Sequence, residues 1–162
     1  MRVTRQSLKT ALCLTLLVAA AAGACADGLY EIRSLSESEV LALYTAIVRD
    51  ACNYANASWH TWSIDPAGGY WGNGISTGNE GIRANGSMIV SCAVLLRYCD
   101  SLTEAERQNC LSKAKAALRY VLTTHLTGPN TCVDGLKWGG DWQSPLWASS
   151  IALGCWLIWD SL

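Results

Sequence analysis

Beyond its first 26 residues the chain has no apolar run long enough to cross a membrane, no CxxC pair, and only two histidines, His60 and His125, far apart. The missing run argues against a spanning helix. The missing ligand pairs argue against a zinc site, so neither a metal nor a cofactor is expected. No GxSxG elbow, phosphate-cradling glycine loop or zinc-binding helix motif occurs either. Positive charge is scarce: the whole chain carries 12 Lys and Arg against 13 Asp and Glu. Without Arg2, Arg5 and Lys9 the balance becomes 9 against 13, or −4, which argues against a nucleic-acid surface.

Those three basic residues belong to a leader. "MRVTRQSLK" has no acid, "TALCLTLLVAAAAG" is apolar, and "ACA" offers small residues for cleavage after Ala26. Residues 1–26 therefore read as a signal peptide, 27–36 as a linker and 37–162 as one helical domain, secreted or periplasmic. A lipoprotein variant with Cys25 as the lipidated first residue is disfavoured, because Ala22 stands where a larger aliphatic is usual. In an exported chain the six remaining cysteines (Cys52, Cys92, Cys99, Cys110, Cys132 and Cys155) read as disulfides before they read as metal ligands. Cys92 and Cys99 would stand roughly 10 Å apart on one helix and cannot pair. Cys99 with Cys110 would clip a short interhelical turn. Asn56 ("NAS") and Asn85 ("NGS") fit the glycosylation sequon.

Four segments carry helical periodicity and none alternates like a strand, so the expected class is all-α. "SESEVLALYTAIVRDACNYA" puts Val40, Leu43, Tyr44, Ile47, Val48 and Ala51 on one stripe behind a Ser36/Glu39 capping box. "NGSMIVSCAVLLRYCDSL" is apolar on most faces, around Ile89, Cys92, Ala93 and Leu96. The third segment opens with a Thr103/Glu106 capping box and turns Cys110, Leu111, Ala114, Leu118, Val121 and Leu122 inward. The fourth starts with Ser144 as N-cap and Pro145 at the first helical position. It stops at "WLIWDSL" with apolar residues around most of its circumference, which suggests a fragment or the first part of a longer helical array.

Residues 100–103, "DSLT", form a tight link, making the second and third helices antiparallel neighbours. The other two connections are long, and antiparallel succession would place both at one end of the bundle. They hold Trp59, Trp62, Trp71, Trp138 and Trp142, five of the eight tryptophans. Long loops in compact domains are uncommon unless they act. Indole faces beside polar groups suit a pyranose, whose C–H face packs on a ring while its hydroxyls need polar partners. Those partners would be Asp65, Asn73, Asn79, Glu80, Arg83 and Asn85 from one connection, and Asp134, Lys137, Asp141 and Gln143 from the other. The competing reading makes the tryptophans plugs for the ends of a bundle.

Candidate catalytic groups are Glu80, His125 and Asp141. A carboxylate among indoles would have its pKa raised, as a general acid requires. Asp141 equally suits a cap at the fourth helix, Glu80 an ion pair with Arg83, and His125 the dipole end of the third helix. The separation of two carboxylates, which distinguishes inverting from retaining glycosidases, is invisible in sequence.

"GYWGNGISTGNEGIRANG" and "CVDGLKWGGDWQSPLWA", each leading into a helix, resemble stretches of secreted (α/α) toroid proteins of the heparinase II/III-like and chondroitin AC/alginate lyase type. The resemblance covers the opening hairpins only. It implies a polysaccharide ligand and, as in the lyases, β-elimination beside a uronate carboxylate. Candidate sugar contacts carried over by position are Trp71, Asn79, Glu80, Arg83, Trp138, Asp141, Trp142 and Gln143. The Asn-Asn-His run expected of such lyases is absent, so no catalytic role transfers. A glycan-binding domain without catalysis, an inverting glycoside hydrolase and a disulfide-stapled structural module stand as alternatives.

Overall fold

The computed structural model describes residues 35–162. The leader, its cleavage after Ala26, Cys25 and the linker as far as residue 34 lie outside the described residues. Two compact units divide the chain, Met1–Leu41 and Ala42–Leu162. The described part of the first is a helix start: Glu39 Oε2 accepts from the Ser36 N–H at 2.7 Å, and Ser36 Oγ accepts from the Glu39 N–H at 3.3 Å. That reciprocal pair is the capping box read from the sequence.

The chain is mostly helical. Helix α1 spans Glu37–Ala55, α2 Ile82–Tyr98, α3 Glu104–Thr124 and α4 Ser144–Leu157, with single 3-10 turns at Asn56–Ser58 and Trp159–Ser161. Thr103 caps α3 through a complete box with Glu106, and His125 ends α3 in extended backbone. Helix α4 begins one residue earlier than expected. Gln143 is its N-cap, while the Ser144 hydroxyl is buried without a partner. The reason lies in the preceding turn, where the Asp141 carbonyl already takes the Ser144 N–H at 3.0 Å.

Helix α2 is the centre of the second unit, packed on α4 and on α3. It buries Ile82, Asn85, Gly86, Ile89, Cys92, Ala93, Val94 and Leu95. Its crossing with α4 is close because glycines occupy it: a Cβ on Gly154 would sit 2.6 Å from Ile89 Cγ2 and 3.2 Å from the backbone carbon of Ile89. Helix α3 turns Cys110, Ala114, Ala117, Leu118, Tyr120, Val121 and Thr124 inward, whereas Leu122 is exposed. On α1 the buried positions are Thr45 and Cys52, and the expected stripe members Leu43 and Ile47 face water. A polar anchor sets that rotation. Arg49, on the same side as Thr45 and Cys52, reaches α3, where Glu106 Oε1 accepts from its Nε at 2.8 Å.

The first long connection holds a hairpin that the sequence reading lacks. Strand β1 (Trp59–Thr61) pairs antiparallel with β2 (Gly69–Trp71), in the register Trp59↔Trp71, His60↔Tyr70 and Thr61↔Gly69. Three residues are too few for alternation to register, but the turn chemistry is present in "DPAG". Asp65 Oδ1 accepts from the Ala67 N–H at 3.2 Å, and its carbonyl accepts from Gly68 at 2.8 Å. Asn85 then staples β2 to α2. Its Oδ1 accepts from the Trp71 N–H at 2.9 Å, and its Nδ2 donates to the carbonyls of Trp71 (3.1 Å) and Gly81 (2.9 Å).

The two long connections meet. Asp134 Oδ2 accepts from the Ser76 hydroxyl (2.7 Å) and the Ser76 N–H (3.0 Å), while Val133 N–H donates to the Gly74 carbonyl at 3.1 Å. From beneath, the buried Tyr120 hydroxyl donates to the same Gly74 carbonyl. Partial burial pushes the Asp134 carboxyl up, but the bonds from Ser76 and Leu136 outweigh it and hold it below the usual range.

Candidate functional site

The tryptophans of the connections separate into two groups. Trp62 packs edge-on against Tyr120 with centroids 5.0 Å apart, and Trp71 meets Trp59 edge-on at 4.6 Å. Both Trp62 and Trp71 are fully buried, and the Trp71 indole N–H has no acceptor. Trp138 is buried as well. Its Nε1 donates to the Val121 carbonyl at 2.7 Å, its ring lies 4.8 Å from His125, and its main chain bonds to Thr124 and Leu126. Trp71 and Trp138 therefore belong to the core and offer no face to a ligand. Trp142 stands apart, 80 % exposed on the turn before α4.

One residue after Trp142 in the chain, Gln143 enters the lining of an open groove between the first turns of α2 and α4. Arg83 and Ser87 line it from α2, Gln143 from the entering turn, and Leu146, Trp147 and Ser150 from α4. Arg83 is held at the rim by Asn79, whose Oδ1 accepts from Nη1 at 2.7 Å. Of the eight positions expected to contact sugar, Arg83 and Gln143 line this groove, Asn79 joins it through Arg83, and Trp142 adjoins it in sequence. Ser87, Leu146 and Ser150 were not foreseen. The pairs Arg83/Ser87 and Leu146/Ser150 each lie four residues apart on one helix, so the spacing was there to find once α2 and α4 were known to be neighbours.

The other positions have local duties. Asp141 Oδ1 accepts from the Gln143 N–H at 2.9 Å, an Asx turn leading into α4, which has no side-chain capping bond of its own. Glu80 is exposed, and its carbonyl accepts from Asn73 at 3.0 Å, directly over Gly72. At φ +75°, with a hypothetical Cβ only 2.1 Å from that carbonyl oxygen, position 72 takes glycine alone. Arg83 bonds Asn79 in place of the ion pair with Glu80; ion pairs among the described residues are Arg49–Glu106 and Arg119–Asp65. His125 turns the corner after α3, its Nδ1 2.9 Å from Thr127 Oγ1 and its ring against Trp138. His60 stacks on Tyr70 at the surface. Lys137 reaches the Gly128 carbonyl, and Asp65 is paired with Arg119, which holds its carboxyl below the usual range.

Among Cys52, Cys92, Cys99, Cys110, Cys132 and Cys155 no two sulfurs stand at disulfide-bonding distance. The sulfurs of the expected Cys99–Cys110 clip are not at bonding distance. Cys99 ends α2 with its sulfur 3.4 Å from Ser101 Oγ, while Cys110, seven residues into α3, faces Cys92. Among the described residues no group of three or more His, Cys, Asp or Glu is arranged to hold a metal ion, and no helix is long and apolar enough to cross a membrane. The chain matches no family model, no curated protein and no solved structure.

Proposed function

We propose that this protein is an extracytoplasmic glycan-binding domain that holds a sugar in the groove between the first turns of α2 and α4. The observation that carries the reading is Trp142, a large indole left 80 % exposed beside Gln143, which lines that groove with Arg83. Trp142 would stack on the C–H face of a pyranose, and Gln143, Ser87 and Ser150 would meet its hydroxyls. Arg83, with one nitrogen committed to Asn79, keeps further N–H donors for a uronate carboxylate. Binding is favoured over lyase or hydrolase chemistry because Asp141 and His125 are engaged in the turns that hold α3 and α4, and Glu80 and Asp141 lie outside the groove lining. The finer architecture in this proposal is a set of opening hairpins from an (α/α) toroid. Its support is the tight α2–α3 link and the junction of both long connections through Ser76 and Asp134.

Intrinsic fluorescence titrated with uronate and neutral oligosaccharides tests the proposal. Trp142→Ala is expected to weaken binding by about 1–3 kcal/mol, the range for an aromatic anchor. Arg83→Gln is expected to reduce uronate binding more than neutral binding. Titrations flat for every glycan, or unchanged by Trp142→Ala, would exclude the groove as a sugar site. Formation of an unsaturated, ultraviolet-absorbing sugar product would instead restore the lyase reading.

A further inference from the structure

Three helices each deliver one cysteine to the same small cavity: Cys52 from α1, Cys92 from α2 and Cys110 from α3. Cys92 stands between the other two, its thiol interacting with both. All three are buried, at 5 %, 3 % and 7 % exposure, while the cavity wall also includes Asn53 and Asn109, which are exposed, and the charged Arg49, Glu106 and Lys113. Core cysteines chosen only as small apolar groups have no reason to converge beside a charged opening.

We propose that Cys92 and Cys110 form a disulfide that ties α2 to α3 and leaves Cys52 as a free thiol. The choice of partner follows from how each helix is held. Helices α2 and α3 pack directly against each other and are joined by the short link through residues 99–103, so their two sulfurs ride on mutually fixed backbones. Helix α1 and the turn after it are joined to α3 by side-chain bonds, Arg49 to Glu106 and Asn56 to Lys113, and so hold Cys52 less firmly. This bond does the work expected of Cys99–Cys110, on the same two helices but deeper in their interface.

The chemistry is thiol–disulfide exchange with a small disulfide oxidant. The interaction with Cys92 holds the Cys110 thiol below its ordinary range, with Lys113 and Arg107 adding to the effect; burial and Glu106 oppose it. Lys113 lines the same cavity wall as Cys110 and favours its thiolate, which makes Cys110 the attacking group. It displaces one thiolate from the oxidant and forms a mixed disulfide. Cys92 then loses its proton and attacks the Cys110 sulfur, and the second oxidant thiolate leaves. Two protein thiols give up two electrons and two protons, and one oxidant disulfide becomes two thiols.

The test uses the full chain, oxidised with glutathione disulfide, alkylated under denaturing conditions and digested with trypsin without reductant. Cleavage after Arg49, Arg83, Arg97, Arg107 and Lys113 places Cys52, Cys92, Cys99 and Cys110 in four separate peptides. The expected map links the Cys92 and Cys110 peptides and shows Cys52 alkylated. Cys52→Ala should preserve that link, and reductant should lower the unfolding midpoint of the oxidised protein. A Cys52–Cys92 link, a Cys99–Cys110 link, or alkylation of both Cys92 and Cys110 would overturn the proposal. The wild-type map decides the matter even if a cysteine variant fails to fold.

Discussion

Trp138 and Trp142 stand four residues apart on one connection, between the same two helices, and meet opposite environments. Around Trp138 every polar atom is committed: the indole N–H to Val121, the backbone to Thr124 and Leu126, and the ring face to His125. Around Trp142 the chain is turning into α4, and the ring is left in water one residue before the groove-lining Gln143. The difference is one of acceptors rather than of apolarity. An indole enters the core where a backbone carbonyl waits for its N–H, because an unmade bond there costs about 1–3 kcal/mol. Trp71 is the counterexample inside the core, buried without such an acceptor, and its own backbone is instead secured by Asn85.

The comparison breaks first at its buried member. Trp138→Ala should destabilise the fold by about 3–5 kcal/mol, the range for deleting a buried tryptophan, measured from urea unfolding midpoints. A loss near that seen on substituting Trp142 would mean that the two indoles are equivalent after all. Next comes the staple that positions Trp71. Asn85→Ala strips a partner from the Trp71 N–H and from two carbonyls, and should cost about 2 kcal/mol. Hydrogen exchange would then quicken at Trp71 and over the first turn of α2.

A smaller effect is electrostatic. The Arg49 guanidinium, assisted by the Thr103 hydroxyl and N–H, holds Glu106 at about 2, below its ordinary 4.5. The folded-state pKa is depressed, so the contribution is complete above about 4.5 and disappears as pH falls through about 2. Glu106→Gln should therefore differ most from wild type near neutrality and converge with it across that acidic window, in unfolding curves taken at successive pH values. A gap that persists at the acid end would assign the effect to packing. Smallest of all, Trp142→Ala should change stability by less than about 0.5 kcal/mol, as expected of an exposed side chain outside the core.

Much of this frame could be read before any coordinates. The four helices follow from periodicity, and both capping boxes from a hydroxyl and a glutamate three residues apart, which are local signals. What stayed hidden depends on contacts distant in sequence. The face that α1 buries was ambiguous, because Leu43 and Ile47 offer as much apolar surface as Thr45 and Cys52. Arg49 decides it by finding Glu106, 57 residues away. The fate of Trp138 depends on a carbonyl 17 residues back, and the hairpin's strands are too short to show a period. Cysteine spacing suggested Cys99 as the partner of Cys110, yet helical phase turns Cys92 toward it. Within the site, Arg83, Asn79 and Gln143 could be named from composition, but the pairing of α2 with α4 that sets them together could not.

Asn85 has one more consequence, and it concerns timing. It is the acceptor of the sequon Asn85-Gly86-Ser87, yet it is fully buried and its Nδ2 already serves two carbonyls. A sugar attached to that nitrogen would take one of those N–H groups and could not fit beneath β2. The folded chain is closed to modification there, while Asn56, half-buried and bonded to Lys113 only through Oδ1, is not closed in the same way. In a glycosylating host, a sugar on Asn85 would be a record of order: the enzyme arrived before α2 and β2 had met.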